Sequence, residues 1–375
     1  MRIVLTGGGS GGHFYPIIAV AEALREEADR RHISPLDLYF ISDQKYDERA
    51  LFDNRIQFIK IPTGKLRRYF SISNFTDIFK TFFGTIRSIF TIFKIYPDVI
   101  FGKGGSPSFP ILFAARILKI PVVIHETDAF PGRTNAWASK FASRIAISYP
   151  ETAEFFPDGK TELTGNPIRK ALHAKISSGA NEYLHLEPEI PMILVLGGSL
   201  GSQIINNALL DALPTLVEKY QIIHQCGKAN FNDVSERSKI ILEKSLKKER
   251  YRVFEFLNSE ALMMASGRAN LVITRAGGTL FEVALLEIPA IVIPITDSNG
   301  DHQRKNAYSY ARHGAGVVIE EANLSPHILV SEISRILDKP EIRASMSEGA
   351  RRFAKPDASK RIASIILNLA LEHEK

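Results

Sequence analysis

Two glycine-rich segments carry the first chemical signal. Gly7-Gly8-Gly9-Ser10-Gly11-Gly12-His13 follows the β-branched run Arg2–Thr6, and Gly197-Gly198-Ser199-Leu200-Gly201-Ser202 follows Met192–Leu196. A helical apolar pattern comes after each, Pro16 through Leu24 in one case and Ile204 through Leu210 in the other. A glycine turn that opens a helix presents bare N–H groups at the positive end of the helix dipole, so each segment is a candidate anion site. His13 stands at the rim of the first. With an ordinary pKa of about 6.5 it can take a proton at neutral pH, or it can simply cap the turn. Gly7-x-Gly9-x-x-Gly12 matches the dinucleotide fingerprint, but the acid expected about 20 residues on is late: Asp43 comes 31 residues after Gly12. Gly-Lys-Ser/Thr, His-Glu-x-x-His and Asp-x-Asp are all absent. Neither a triphosphate loop nor a metal nor a cofactor is therefore expected. A departing phosphate must be steadied by helix ends, Arg or Ser/Thr.

These turns need strands before them and helices after, and the sequence supplies both repeatedly. Strand-like runs recur at Leu38–Ile41, Phe58–Ile61, Val99–Phe101, Val122–Ile124 and Ile145–Ile147, then at Gln221–Ile223, Arg252–Phe254, Leu271–Ile273 and Ala290–Ile293. Continuous apolar runs separated by helix-length segments are the pattern of parallel strands covered on both faces. The two openings predict an α/β chain of two doubly wound, Rossmann-like domains. The turn-forming Gly165-Asn166-Pro167 marks a boundary, giving domains 1–163 and 164–356. Residues 176–190 read as a polar loop of little order. The stretch from Asp357 has helical apolar spacing at Ile362, Ile365, Ile366 and Leu369. Its pattern does not say which domain it covers.

Composition excludes several classes. The 375 residues are 45% hydrophobic and 23% charged, ordinary globular usage, with a net charge of +6. Cys226, the single cysteine, cannot form an internal disulfide and reads as a small core residue. No uninterrupted apolar stretch approaches about 18 residues, so no spanning helix is expected. Residues 65–97 hold most of the excess charge: Lys65, Arg67, Arg68, Lys80, Arg87 and Lys94 against Asp77. The same segment carries Phe75, Phe79, Phe82, Phe83, Phe90 and Phe93 at largely helical spacing. One reading is a helix with phenylalanine turned inward. The other is an aromatic, cationic face that rests on an anionic membrane surface. No nucleic-acid-binding signature is present, and none is expected as a partner.

Six dispersed segments then resemble one family. They are Gly7–His13 with Pro16, His125-Glu126 with Thr134-Asn135, Thr164-Gly165-Asn166-Pro167-Ile168-Arg169, Gly197-Gly198-Ser199, Arg275-Ala276-Gly277 with Glu282, and Asp301-His302-Gln303 with Asn306-Ala307. In this order they resemble the MurG family of glycosyltransferase family 28. The resemblance implies a GT-B fold, with two domains facing across a cleft and the 357–375 helix joined to the first. It implies an inverting transferase that moves N-acetylglucosamine from UDP-N-acetylglucosamine to undecaprenyl-diphosphate-linked muramoyl-pentapeptide. That is the step from lipid I to lipid II in peptidoglycan synthesis, at the cytoplasmic face of the cell membrane. By matching position, His13 would be the catalytic base, with Ser10, Gly11 and Gly12 on the acceptor side. Ser199 and Arg169 would meet phosphate, the Leu257 backbone uracil, Glu282 the ribose, and Gly278, Thr279 and Leu280 would lie nearby. Gln303 would meet the donor sugar with Asn306 in support, and Asp128 stands where the family commonly has asparagine. Arg275 is read as structural. Phe75, Phe79, Lys80, Phe82, Phe83 and Arg87 would dock the first domain on the bilayer. Competing readings are another GT-B enzyme, acting on a different lipid or as a UDP-sugar 2-epimerase, a dinucleotide-dependent oxidoreductase, and a non-catalytic sugar-nucleotide binder.

Overall fold

A computed structural model describes residues 1–8, 11–64, 72–174, 176, 178–198 and 201–373, with only the backbone for 72–75 and 299. The chain divides into two compact units, Met1–Lys170 with Lys355–Lys375, and Ala171–Ala354.

Unit 1 is built on β1 (Arg2–Thr6), β2 (Asp37–Ser42), β3 (Ile56–Lys60), β4 (Val99–Gly102), β5 (Val122–Glu126), β6 (Arg144–Ile147) and β7 (Thr161–Leu163). They form one sheet in the order β3-β2-β1-β4-β5-β6-β7, and every pairing is parallel. Unit 2 repeats the plan with β8 (Met192–Leu196), β9 (Gln221–Gln225), β10 (Tyr251–Phe254), β11 (Leu271–Thr274), β12 (Ala290–Val292) and β13 (Gly316–Val318). Its order, β10-β9-β8-β11-β12-β13, is again all parallel. Apart from exposed Arg2 at the start of β1, the central strands are buried throughout because helices cover both faces. In each sheet the strand order reverses beside the first strand, where a doubly wound fold opens its ligand crevice. The short edge strands β7 and β13 escaped the sequence reading, being three residues each and only half-buried.

The Ala358–His373 helix belongs to unit 1. Ile362, Ala363, Ile366, Leu367 and Ala370 join one core with Ile17, Val20, Ala21 and Leu24 of the Gly11–Arg30 helix. The described part of residues 176–190 is more ordered than its composition predicts. It holds an Ala180–Leu184 helix. The Gln221 amide bonds the backbone of Glu187 and Ile190, and Arg268 donates to Asn181, Pro188 and Ile190. Side-chain bonding of this kind leaves no apolar periodicity to read.

The Phe-rich segment forms a helix, Ile72–Ile95, that packs in an unusual sense. Asp77, Gly84, Ser88 and Ile92 face inward and are buried. Thr81, Thr85 and Ser88 return their hydroxyls to the carbonyls of Asp77, Thr81 and Gly84, at 2.7–2.8 Å, so a polar face can be packed without orphaned groups. A Cβ at Gly84 would stand 1.9 Å from the Pro62 carbonyl oxygen, so only glycine permits this approach. Phe79, Phe82, Phe83, Phe90 and Phe93 point outward, 49–70% exposed. Among the described residues no helix is long and apolar enough to cross a membrane.

Candidate functional site

In unit 1 the first glycine turn links β1 to the Gly11–Arg30 helix, leaving Gly12 exposed and His13 half-buried on its first turn. Ser10 lies outside the described residues. A neighbouring turn, Gly102-Lys103-Gly104-Gly105 after β4, presses against the first. Gly105 has φ +82°, and a Cβ there would lie 2.2 Å from the Gly8 carbonyl oxygen. Lys103 is buried, and its ammonium donates to Thr127 Oγ1. Thr127 in turn donates to Asn166 Oδ1 at 3.3 Å. Burial pulls the Lys103 pKa down to about 8, against the opposing pull of the Glu126 and Asp128 charges.

The end of β5 carries two further buried ionisable groups. His125 Nε2 lies 2.9 Å from the Gly165 carbonyl oxygen and 3.3 Å from Ser148 Oγ. Burial first, and then the Lys103 charge, hold His125 well below its ordinary pKa, and His13 acts in the same direction. Glu126 accepts from the Asn135 amide and Gly132 N–H at 2.9 Å and from Asp128 N–H at 3.1 Å. Burial, followed by the Asp128 charge, raises its pKa despite those bonds. Asn135 also donates to the His125 carbonyl at 2.9 Å, so the His-Glu and Thr-Asn segments form one knot. The Arg169 guanidinium lies 4.1 Å from the centre of the Tyr15 ring, two residues beyond His13.

In unit 2 the second glycine turn links β8 to the Gln203–Lys219 helix, capped by Ser202. Ser199 lies outside the described residues. Gln225, at the end of β9, accepts the Leu257 N–H at 2.9 Å and donates to the Gly198 carbonyl at 3.4 Å. Its one amide ties the Leu257 loop to the glycine turn. Asn306 is buried and donates to the Ala276 carbonyl at 2.9 Å, clamping the turn before Gly278, Thr279 and Leu280. Glu282 is half-buried in the first turn of the Thr279–Leu285 helix. Gln303 Oε1 accepts the Ile295 N–H at 3.2 Å, and its own N–H donates to Ser298 Oγ at 3.1 Å. Leu257, Glu282 and Gln303 thus follow β10, β11 and β12, at the carboxyl edge where the glycine turn leaves β8.

The family model of the glycosyltransferase family 28 N-terminal domain matches residues 3–147, and that of the C-terminal domain matches residues 192–362. A Treponema denticola protein named UDP-N-acetylglucosamine–N-acetylmuramyl-(pentapeptide) pyrophosphoryl-undecaprenol N-acetylglucosamine transferase is 36% identical over 344 residues, 88% of this chain and 86% of that one. A Clostridium perfringens protein of the same name is 37% identical over 337 residues, 88% of this chain and 89% of its own. The chain belongs to glycosyltransferase family 28. The crystal structure of Acinetobacter baumannii MurG is 25% identical with a TM-score of 0.73, covering 98% of this chain and 99% of that one.

Within this family 28 enzyme the candidate residues fall into two sets. Gly11, Gly12, His13, Asp128 and Arg169 belong to unit 1. Leu257, Gly278, Thr279, Leu280, Glu282, Gln303 and Asn306 belong to unit 2. The sequence reading passed over Lys103 and Gln225. Lys103 carried a visible signal, since Gly102-Lys103-Gly104-Gly105 follows a strand-like run as the other two glycine turns do. Gln225 carried none, because its role depends on what two other segments bring to it. Of the expected docking residues Phe79, Lys80, Phe82, Phe83 and Arg87 are exposed, while the Phe75 side chain lies outside the described residues.

Proposed function

We propose that this glycosyltransferase moves N-acetylglucosamine from UDP-N-acetylglucosamine to a muramoyl-pentapeptide carried on undecaprenyl diphosphate. Unit 1 takes the acceptor and unit 2 the donor, except that Arg169, which the sequence reading counted with the second domain, is a residue of unit 1. His13 accepts the proton of the attacking acceptor hydroxyl as its oxygen bonds to the anomeric carbon. The bond from that carbon to the UDP oxygen breaks on the opposite side, so the α-linked donor gives a β-linked product. The departing UDP keeps the electron pair and is steadied by the second glycine turn, Ser199 and Arg169. Glu282 accepts from ribose hydroxyls, a task suited to a carboxylate with two acceptor oxygens. The Leu257 backbone meets uracil, with Gly278, Thr279 and Leu280 beside it, and Gln303 meets the sugar while Asn306 holds the loop after β11. Ser10, Gly11, Gly12 and Asp128 line the acceptor side.

The exposed Phe79, Phe82, Phe83, Phe90 and Phe93, flanked by exposed Lys80, Arg87 and Lys94, support docking of unit 1 on the anionic cytoplasmic face of the cell membrane. A lipid-borne acceptor is met at such a surface.

The observation that carries this reading is the 36% identity to a transferase of that name over 88% of the chain. The test is turnover with UDP-N-acetylglucosamine and the prenyl-diphosphate acceptor. Transfer is expected from the wild type, and its absence would remove the reading. His13→Ala should lower kcat by roughly 10²–10⁴-fold. A near-normal rate would retire His13 as the base.

A further inference from the structure

Arg275 follows β11, and its side chain, 11% exposed, reaches three other segments of unit 2. One terminal nitrogen lies 2.6 Å from Glu321 Oε1 and donates to Ser202 Oγ at 2.6 Å. The other donates to the Ile293 carbonyl at 3.0 Å. Glu321, 12% exposed, comes just after β13. Its second oxygen accepts the Thr296 N–H at 2.9 Å and the Thr296 hydroxyl at 2.7 Å. Burial works to raise the Glu321 pKa, and the Thr296 and Arg275 bonds outweigh it and hold the carboxyl below its ordinary value.

The two anchored points are the ones that matter for a donor. Ser202 caps the helix that follows the second glycine turn, and Thr296 opens the stretch that leads into the His302–Arg312 helix, whose second residue is Gln303. A nearly buried ion pair adds little net stability over apolar packing, because desolvation offsets the attraction. Its directional bonds do fix geometry, and a guanidinium fork fixes several partners at once.

We infer that the Arg275–Glu321 pair is a positioning element for the donor. It sets the distance between Ser202, at the head of the Gln203–Lys219 helix, and the 294–301 loop that leads to Gln303, so that the diphosphate and the sugar of one UDP-sugar are engaged together. The inference rests on unit 2 being the donor half. Neither side chain is required to touch the ligand.

The test compares wild type, Arg275→Met, Glu321→Gln and the double variant by steady-state kinetics, with calorimetry against UDP-N-acetylglucosamine. Each single variant should raise the donor KM about tenfold or more, on the scale of one charge-assisted hydrogen bond. The acceptor KM should stay within about twofold, a split that general loosening of the fold would not give. The double variant should be no worse than the poorer single one, because both remove the same link. Arg275→Lys keeps the charge and loses the fork, and an intermediate donor KM is expected of it even if a neutral variant fails to fold. An unchanged donor KM in a folded variant, or an equal rise in both KM values, overturns the inference. Failure of the wild type to bind UDP-N-acetylglucosamine would instead overturn the assignment of unit 2 as the donor half.

Discussion

The outward phenylalanine face gives a prediction whose size follows from exposure. Phe82 and Phe90 are 59% and 70% exposed. Full burial of a phenylalanine is worth about 1.5–3 kcal/mol, so the part still open to solvent leaves roughly 1–2 kcal/mol for each to gain in a bilayer interface. Phe82→Gln with Phe90→Gln should weaken vesicle binding by about 2–4 kcal/mol, roughly thirtyfold to a thousandfold. Lys80, Arg87 and Lys94 add about 1 kcal/mol apiece on an anionic surface, and salt screens that part. Folding stability should hold to within about 0.5 kcal/mol, as for other surface changes. Ile92→Gln on the opposite, buried face should instead destabilise the fold by several kcal/mol, on the order of burying an unpaired amide. The assay is co-sedimentation with vesicles of neutral and anionic phospholipid at two salt concentrations, beside urea unfolding. Wild-type vesicle binding by the double variant would refute the reasoning. So would a large loss of stability, since it would mean that these rings are packed.

Other expectations follow from single contacts. Gly84→Ala drives a methyl to 1.9 Å from the Pro62 carbonyl oxygen, and should cost on the order of 1–3 kcal/mol or more by urea unfolding. Gln225→Ala strips the buried Leu257 N–H of its acceptor and should cost about 1–3 kcal/mol, with weaker UDP binding by calorimetry. His224 is fully buried between Asn206 and the Tyr251 hydroxyl, and burial lowers its pKa to about 3 from 6.5. The folded form therefore binds fewer protons than the unfolded chain between those two values, and its stability falls as the pH drops through them. The loss should total roughly 4–5 kcal/mol, and His224→Gln should flatten the acid limb of unfolding free energy against pH. Parallel acid limbs for the two proteins would refute it.

Much of the fold could be read because long apolar runs and glycine turns are local signals. All the strands expected from such runs are present and parallel. The edges could not be read in the same way. A three-residue strand such as Gly316–Val318 exists because β12 offers it a partner. The Phe-rich helix shows a different limit. Its period is plain in the sequence, but which face turns inward depends on Gly84 meeting Pro62 and on Thr81, Thr85 and Ser88 satisfying themselves. The site residues divide similarly. The candidates His13 and Glu282 stand out in the sequence by turn and helix context, whereas Gln225 and the Glu321 partner of Arg275 are meaningful only once distant segments converge.

The two units share the order of their first six strands and bury a histidine in the same uncharged state, but they treat their other buried ionisable groups differently. In unit 2 burial drives His224 down to about 3, Tyr220 up to about 12 and Cys226 up to about 11, all away from neutrality. The Arg275–Glu321 pair is likewise compensated within itself. His224, Tyr220 and Cys226 therefore keep one protonation state near pH 7. In unit 1 burial moves Lys103 down to about 8 and pushes Glu126 upward, both toward neutrality, while His125 stays uncharged beside them. Groups brought toward the working pH can respond when a proton moves among them, and sites with such shifts are where acid–base chemistry concentrates. His13 stands within electrostatic reach of this cluster through His125. On the proposed reading, the base then works beside the buried groups of unit 1 whose pKa values burial brings toward neutrality.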